Sequence, residues 1–193
     1  MKPLKMLTDK IGSGATPKGG NASYKDEGIS LVRSMHVYNG FFDYDDLAHI
    51  DDEQAKKLDN VIVKNDDVLL NITGASVAIS CIVPENILPA RVNQHVCIIR
   101  CKKELVHPIF INRLLISDAY QAFLWNMASA AGATRQALTK EQIENLQIIV
   151  PPMEAQRQFV SFVDQTAKSK FIVRQALANA QLLFDSLMQQ YFG

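Results

Sequence analysis

The chain has 193 residues, and its 20 Lys and Arg balance 20 Asp and Glu, so the formal net charge is zero. With 48% hydrophobic residues it can bury a core, which excludes a disordered chain; the nine Gly and seven Pro exclude a coiled-coil rod throughout. No apolar run reaches the 18 or more residues of a membrane span, and Met1-Lys2-Pro3 opens no signal peptide, so a cytoplasmic protein is expected.

In chain order, Gly28-Ile-Ser-Leu-Val-Arg33 reads as a strand. Ile50 to Leu58 reads as a short helix with Asp51 as its cap. Asp67–Thr73 and Ser76–Val83 are two apolar runs, and Gly74-Ala75 between them predicts a tight hairpin. Val92 to Arg100 reads as one further strand. Pro108 stands where a first helical residue belongs, and Ile109 to about Met127 reads as one or two helices. Thr139-x-x-Gln142 is a capping box opening a short helix through Leu146, and Gln147–Val150 is strand-like. Residues 1–150 are therefore expected to form a strand-rich α+β domain.

After Pro151-Pro152 the texture changes. Glu154 to Tyr191 contains no Gly or Pro, and Phe159, Val163, Thr166, Lys170, Val173, Leu177, Ala180, Phe184, Leu187 and Tyr191 fall at alternating steps of four and three. Eight of these ten are apolar, which fits the heptad template and predicts one long helix over 151–193. An amphipathic helix that long needs a partner helix, and this chain supplies no second one, so the partner is expected to be another chain.

Charge is uneven beneath the zero total. Asp43–Asp67 holds nine acids and three bases, a balance of −6, whereas residues 1–42 and 68–150 hold thirteen bases and eight acids, a balance of +5. This predicts a basic face and a solvated acidic back. Cys81, Cys97 and Cys101 lie in apolar stretches and read as reduced core residues.

Catalytic constellations are missing. The four His are scattered, Cys97-x-x-x-Cys101 has no companion pair, and no Walker, dinucleotide or serine-nucleophile motif is present, so no metal, cofactor or catalytic residue is expected. Val150-Pro-Pro-Met153 lacks the polar and aromatic residues that flank Pro-Pro in amino-group DNA methyltransferases, and reads as a rigid hinge. The remaining polar features suit recognition. Gly14–Tyr24 is a loop carrying Lys18, Asn21 and Tyr24, and Gly132–Leu138 is a second carrying Arg135 and Gln136. Arg and Lys read guanine edges and Asn and Gln read adenine, while hydroxyls suit phosphates. On composition alone both loops read as ordinary solvated turns in preference to a recognition surface, and Asn93-Gln94-His95 equally well as a strand cap.

Taken in order, these segments resemble one half of the specificity subunit of type I restriction–modification systems. The resemblance rests on Gly12-Ser-Gly-Ala-Thr-Pro17, Gly28–Arg33, Asp67–Gly74, Val92–Val96, Gly132–Ile143, and Leu146-Gln-Ile-Ile-Val-Pro-Pro-Met-Glu-Ala-Gln156 leading into a long helix. It implies a target-recognition domain that reads one half of a bipartite double-stranded DNA sequence. It also implies a long helix that forms an antiparallel coiled coil, and a non-catalytic role recruiting adenine methyltransferase and restriction (translocase and nuclease) subunits. Such subunits carry two recognition domains and two helices; this sequence carries one of each, so it is expected to be either a homodimerising half-subunit or a fragment of a longer gene. Candidate DNA-binding residues are Lys18, Asn21, Arg33, Thr73, Arg91, Asn93, Gln94, Arg135 and Gln136, with Asn93 and Arg135 equally suited to holding the fold. Candidate dimerisation residues are Phe159, Val163, Val173, Leu177, Ala180, Phe184, Leu187 and Tyr191. The competing reading is an orphan assembly protein that dimerises without useful sequence reading.

Overall fold

The computed structural model describes residues 1–130 and 136–192. In chain order the elements are β1 (Lys2–Pro3), β2 (Thr8–Ser13), β3 (Ile29–Val32), β4 (Val37–Tyr38), β5 (Phe41–Phe42), β6 (Ala48–Ile50), α1 (Asp52–Lys56), β7 (Ile62–Val63), β8 (Val68–Asn71), β9 (Ser80–Ile82), β10 (Ala90–Val92) and β11 (Val96–Cys101). There follow α2 (Pro108–Leu115), α3 (Asp118–Ser129), α4 (Lys140–Glu144), β12 (Gln147–Ile148) and α5 (Met153–Phe192). The chain divides into two compact units, Met1–Met153 and the segment from Glu154 onward. This is the α+β arrangement expected, a strand-rich body followed by one long helix.

Two four-stranded sheets build the first unit, ordered β6-β3-β10-β7 and β2-β11-β8-β9. Side chains alternate across a strand, so the buried strands β8 and β11 serve two cores at once. Leu69, Cys81, Val96 and Ile98 join Val32, Ala90 and Val92 in one cluster. Val68, Leu70, Cys97 and Ile99 join Ile111 and Leu115 of α2, Leu124 of α3 and Ile143 of α4 in the other. Double burial explains why Val68–Leu70 is a continuous apolar run rather than an alternating one. All three cysteines are free and buried, and burial pushes each thiol up to about 12.

Local signals in the sequence become caps. The Asp51 carboxylate accepts from the Gln54 amide at 2.9 Å while Gln54 Oε1 accepts from the Asp51 amide, closing α1 with a capping box. Thr139 and Gln142 do the same for α4. Helix α2 starts at Pro108, and α3 follows as a second helix.

Two expectations change. Strands β8 and β9 do pair antiparallel, Leu70 opposite Ser80, but their connection is no two-residue turn. Ile72–Gly74 bond instead to other segments: the Ile72 amide to His95 O, the Gly74 amide to Gln136 O, and Ile72 O to the Leu138 amide. The chain therefore leaves the hairpin, makes a 3-10 turn over Gly74–Ser76, and rejoins through Ala78 at φ 71°. The single strand expected over Val92–Arg100 is two, β10 in one sheet and β11 in the other, because residues 93–95 turn between them.

The sheets also hold a buried ion pair. Asp67 is fully buried; Arg100 Nε and Nη2 donate to its two oxygens at 2.8 and 2.7 Å, and the Lys64 amide donates at 2.7 Å. Removing the carboxylate strands a guanidinium whose side chain is only 21% exposed. Asp67→Ala should therefore cost about 3 kcal/mol, the low end for breaking a buried pair. A lowered urea midpoint with unchanged slope checks this; an unchanged midpoint would show that water rescues Arg100.

Candidate nucleic-acid interface

Strand directions gather several loops at one end of the first unit. Parallel pairing of β10 with β3 sets Val92 beside Val32. Antiparallel pairing of β11 with β2 and β8 sets Val96 beside Asn71, and Cys97 beside Ser13. The segments 14–28, 33–36, 72–79 and 93–95 all leave from these points, and 136–138 is tied to 72–74 by the bonds above.

Gly14 opens the first of these loops. Its amide donates to Asn93 O at 3.0 Å, and a Cβ there would lie 1.9 Å from Val92 O. No side chain fits that approach, so the loop can leave β2 along this path only from a glycine.

Four polar side chains from three of these segments then link in a row. Thr16 Oγ1 donates to Gln94 Oε1 at 2.5 Å, Gln94 Nε2 lies 3.0 Å from His95 Nε2, and His95 Nδ1 lies 2.6 Å from Thr73 Oγ1. Thr73 pairs through its backbone with Ala137, next to half-buried Gln136. Sequence reasoning named Thr73, Gln94 and Gln136 separately and passed over Thr16 and His95; nothing in a separation of 78 residues could have signalled that Thr16 meets Gln94.

The other candidates fall in different settings. Lys18 and Asn21 stand exposed on the loop, where a 3-10 turn over Gly20–Ser23 opens on two glycines of positive φ, Gly19 before it and Gly20 as its first residue. Asn93 is buried, and its Oδ1 accepts from the His95 amide at 2.9 Å, so its side chain makes the turn between the sheets. Arg91 is also buried, its Nη2 donating to Asp59 at 2.9 Å. Arg135 lies outside the described residues.

Arg33 sits just beyond β3 with its side chain 14% exposed. Its Nη2 donates to the Asp46 backbone oxygen and, at 2.8 Å, to the Asp46 carboxylate, while the guanidinium lies 5.5 Å from the Tyr24 ring centre. Asp46 adopts φ 56°, a left-handed conformation that Asp tolerates better than most residues. Hydrogen bonding from Arg33, then its charge, holds the Asp46 carboxyl below the usual range. Buried His36 accepts from the Arg33 amide through Nδ1, and burial keeps its imidazole below its ordinary 6.5. Tyr24, Arg33, Asp46, Asn21, Lys25 and His49 line an open cleft of about 460 Å3.

The acidic segment is not simply a solvated back. Five of its nine carboxylates pair with bases from outside it: Asp46 with Arg33, Asp51 with Lys25, Asp59 with Arg91, Asp66 with Lys103 and Asp67 with Arg100. The excess acid of one segment is spread over the excess base of the others.

Among the described residues no group of His, Cys, Asp and Glu is placed to hold a metal ion, and no helix is long and apolar enough to cross a membrane. On α5, Val173, Leu177, Phe184 and Tyr191 are each more than half exposed, as are Phe162, Phe171, Ile172, Leu182 and Leu183.

Comparison with known proteins places this architecture. A likeness covers 97% of the chain, at 19% identity and a TM-score of 0.66, to a solved chain described as showing complex assembly and conformational transition of the type I R-M system. The HsdS subunit from Thermoanaerobacter tengcongensis matches 90% of the chain at 18% identity and a TM-score of 0.58. The S subunit of a type I system from M. genitalium matches 99% at 12% identity and 0.61. At such identities these show the fold, and the chain spans 43%, 38% and 45% of their lengths. The Escherichia coli type I restriction enzyme EcoBI specificity subunit is 28% identical over 170 residues, 86% of this chain and 35% of its own length. The chain thus spans about a third of that curated relative. Residues 6–180 match the family described as Type I restriction modification DNA specificity domain, and the chain belongs to that family.

Proposed function

We propose that this chain is a non-catalytic specificity module that reads one half of a bipartite double-stranded DNA target. Family membership carries the reading, and the loops at one strand end supply the surface for it. Chemistry on the DNA then belongs to partners: methyltransferase subunits that modify adenine and restriction subunits that translocate and cleave. No residue of the chain is given a catalytic role, and no cofactor is required.

The module acts as a homodimer. A helix of 40 residues is about 60 Å long at roughly 1.5 Å per residue, far beyond what an isolated apolar stripe tolerates in water. The seam Phe159, Val163, Val173, Leu177, Ala180, Phe184, Leu187 and Tyr191, exposed except for half-buried Val163, is read as one side of an antiparallel coiled coil with a second copy. Two copies would restore the pair of recognition domains that a full-length specificity subunit carries. The competing reading, an assembly protein that dimerises without reading DNA, shares the helix and differs only at the loops.

Mobility shifts across a salt series separate the two. Binding should select particular duplexes and weaken as salt rises in proportion to the phosphates contacted. Dimerisation with no duplex preference at any salt would favour the assembly reading.

Leu177→Asp combined with Phe184→Asp should give monomers with an intact first unit, because burying unpaired carboxylates in the seam costs several kcal/mol. Analytical ultracentrifugation reads the outcome, and an unchanged dimer would place the interface elsewhere.

Helix length should also set the distance between half-sites. A two-fold dimer of identical domains reads an inverted repeat interrupted by a spacer. Deleting the heptad Val173–Asn179 shortens each helix by about 10 Å at roughly 1.5 Å per residue. The half-sites should then draw together by roughly three base pairs at about 3.4 Å each. That shift turns the duplex by more than a quarter of its turn of about 10 base pairs, so activity should fall while the half-site stays the same. Mapping methylated sites in cells carrying the partner methyltransferase tests this; an identical spacer with robust methylation would release the helix from that role.

A further inference from the structure

Gln94 stands exposed at the tip of the turn that joins the two sheets, yet both ends of its amide are engaged. Thr16 Oγ1 lies 2.5 Å from Oε1, and His95 Nε2 lies 3.0 Å from Nε2. The backbone beneath it is fixed as well, since the His95 amide donates to Asn93 Oδ1 and the Asn93 amide to Val32 O.

A primary amide offers two protons on nitrogen and two lone pairs on oxygen. With Nε2 donating to His95 Nε2, the other ring nitrogen, Nδ1, faces Thr73 Oγ1 as a donor, 2.6 Å away. Thr16 uses one lone pair of Oε1 and His95 one proton of Nε2. One acceptor site and one donor proton remain. Exchanging the amide oxygen and nitrogen reverses the bonds to Thr16 and His95 but leaves the same remainder. In the major groove, adenine alone pairs a donor, its N6 amino group, with an adjacent acceptor, N7, on one base; guanine presents two acceptors there. The remainder of the Gln94 amide, one donor and one acceptor, matches in kind what the adenine edge offers, and its two engaged ends restrict its rotamers before contact, which lowers the entropic cost of binding.

We propose that Gln94 reads an adenine in the half-site, with Thr16 and His95 as positioning residues that fix its amide. The inference rests on the DNA-reading function and deepens it to one base and one side chain.

The test is selection from a randomised duplex library by the purified full chain, followed by affinity measurements on the selected duplex. One adenine of the selected half-site should be the sensitive one. Replacing it with 7-deazaadenine, which lacks the N7 acceptor, should weaken wild-type binding by about 5- to 150-fold. Gln94→Ala should weaken binding to the unmodified duplex by a similar factor and be indifferent to the deaza substitution. Thr16→Val and His95→Ala should lower the preference for adenine at that position while leaving the salt dependence of binding and the thermal midpoint of the protein in place. A merely structural row would move the midpoint and spare the preference. If the wild type selects a motif and Gln94→Ala selects the same motif with the same discrimination, the assignment of Gln94 is overturned and DNA reading survives. If the wild type selects nothing, DNA reading itself falls and the assignment falls with it.

Discussion

The turn at Asn93 is the constraint on which the first unit depends. One residue spends its side-chain oxygen on the His95 amide, its own amide on Val32 O and its carbonyl on the Gly14 amide. The next carbonyl but one, His95 O, takes the Ile72 amide. Those bonds carry the chain from one sheet to the other and anchor the loops after β2, β3 and β8 at the same place. An unmatched buried polar group costs about 1–3 kcal/mol, so a chain that failed to make this turn would forfeit several such bonds together. The loops can vary in what they present because their roots are fixed.

This division between fixed roots and presented side chains explains what the sequence revealed. The long helix was legible because its signal is local and repeated: no Gly or Pro from Glu154 to Tyr191 and apolar residues at heptad steps. The capping boxes of α1 and α4 were legible because donor and acceptor lie three residues apart. Strand β2 was not, because Thr8–Ser13 edges its sheet, and only Thr8 and Ile11 are buried along it. Strands β4 and β5 are two residues each, too short for any period to register. The break between β10 and β11 hid inside an apolar run, since Asn93-Gln94-His95 is a polar interruption that a strand end tolerates equally well.

The candidate interface was half legible for the same reason. Residue chemistry picked out Thr73, Gln94 and Gln136, and the fold brings their segments together. Chemistry also picked out Arg91 and Arg33, but an arginine's partner is set by tertiary structure. Asp59 and Asp46 lie 32 and 13 residues from them, in the acidic segment that seemed a separate region when read along the chain. A charge run read linearly overstates the field it makes, because Coulomb interaction depends on distance in space and paired charges cancel at range.

The pairing of Arg33 with Asp46 bears on how such a surface meets a polyanion. Both protons of Arg33 Nη2 are engaged by Asp46, one by its backbone oxygen and one by its carboxylate. A guanidinium so held cannot give the end-on two-proton contact that a guanine edge takes. The Asp46 side chain is 76% exposed and the Arg33 side chain 14%, so a carboxylate that swings into water leaves behind a largely buried guanidinium beside Tyr24. Breaking such a half-buried pair carries a cost, because the cation left behind is poorly solvated. The pair also sets up a competition: a phosphate or base edge approaching Arg33 must displace Asp46 first. Gln94 presents its amide with one donor and one acceptor unspent, and Arg33 presents a charge already answered. On the DNA reading proposed above, the neutral amide of Gln94 meets a base with its donor and acceptor unspent, whereas Arg33 must first give up Asp46.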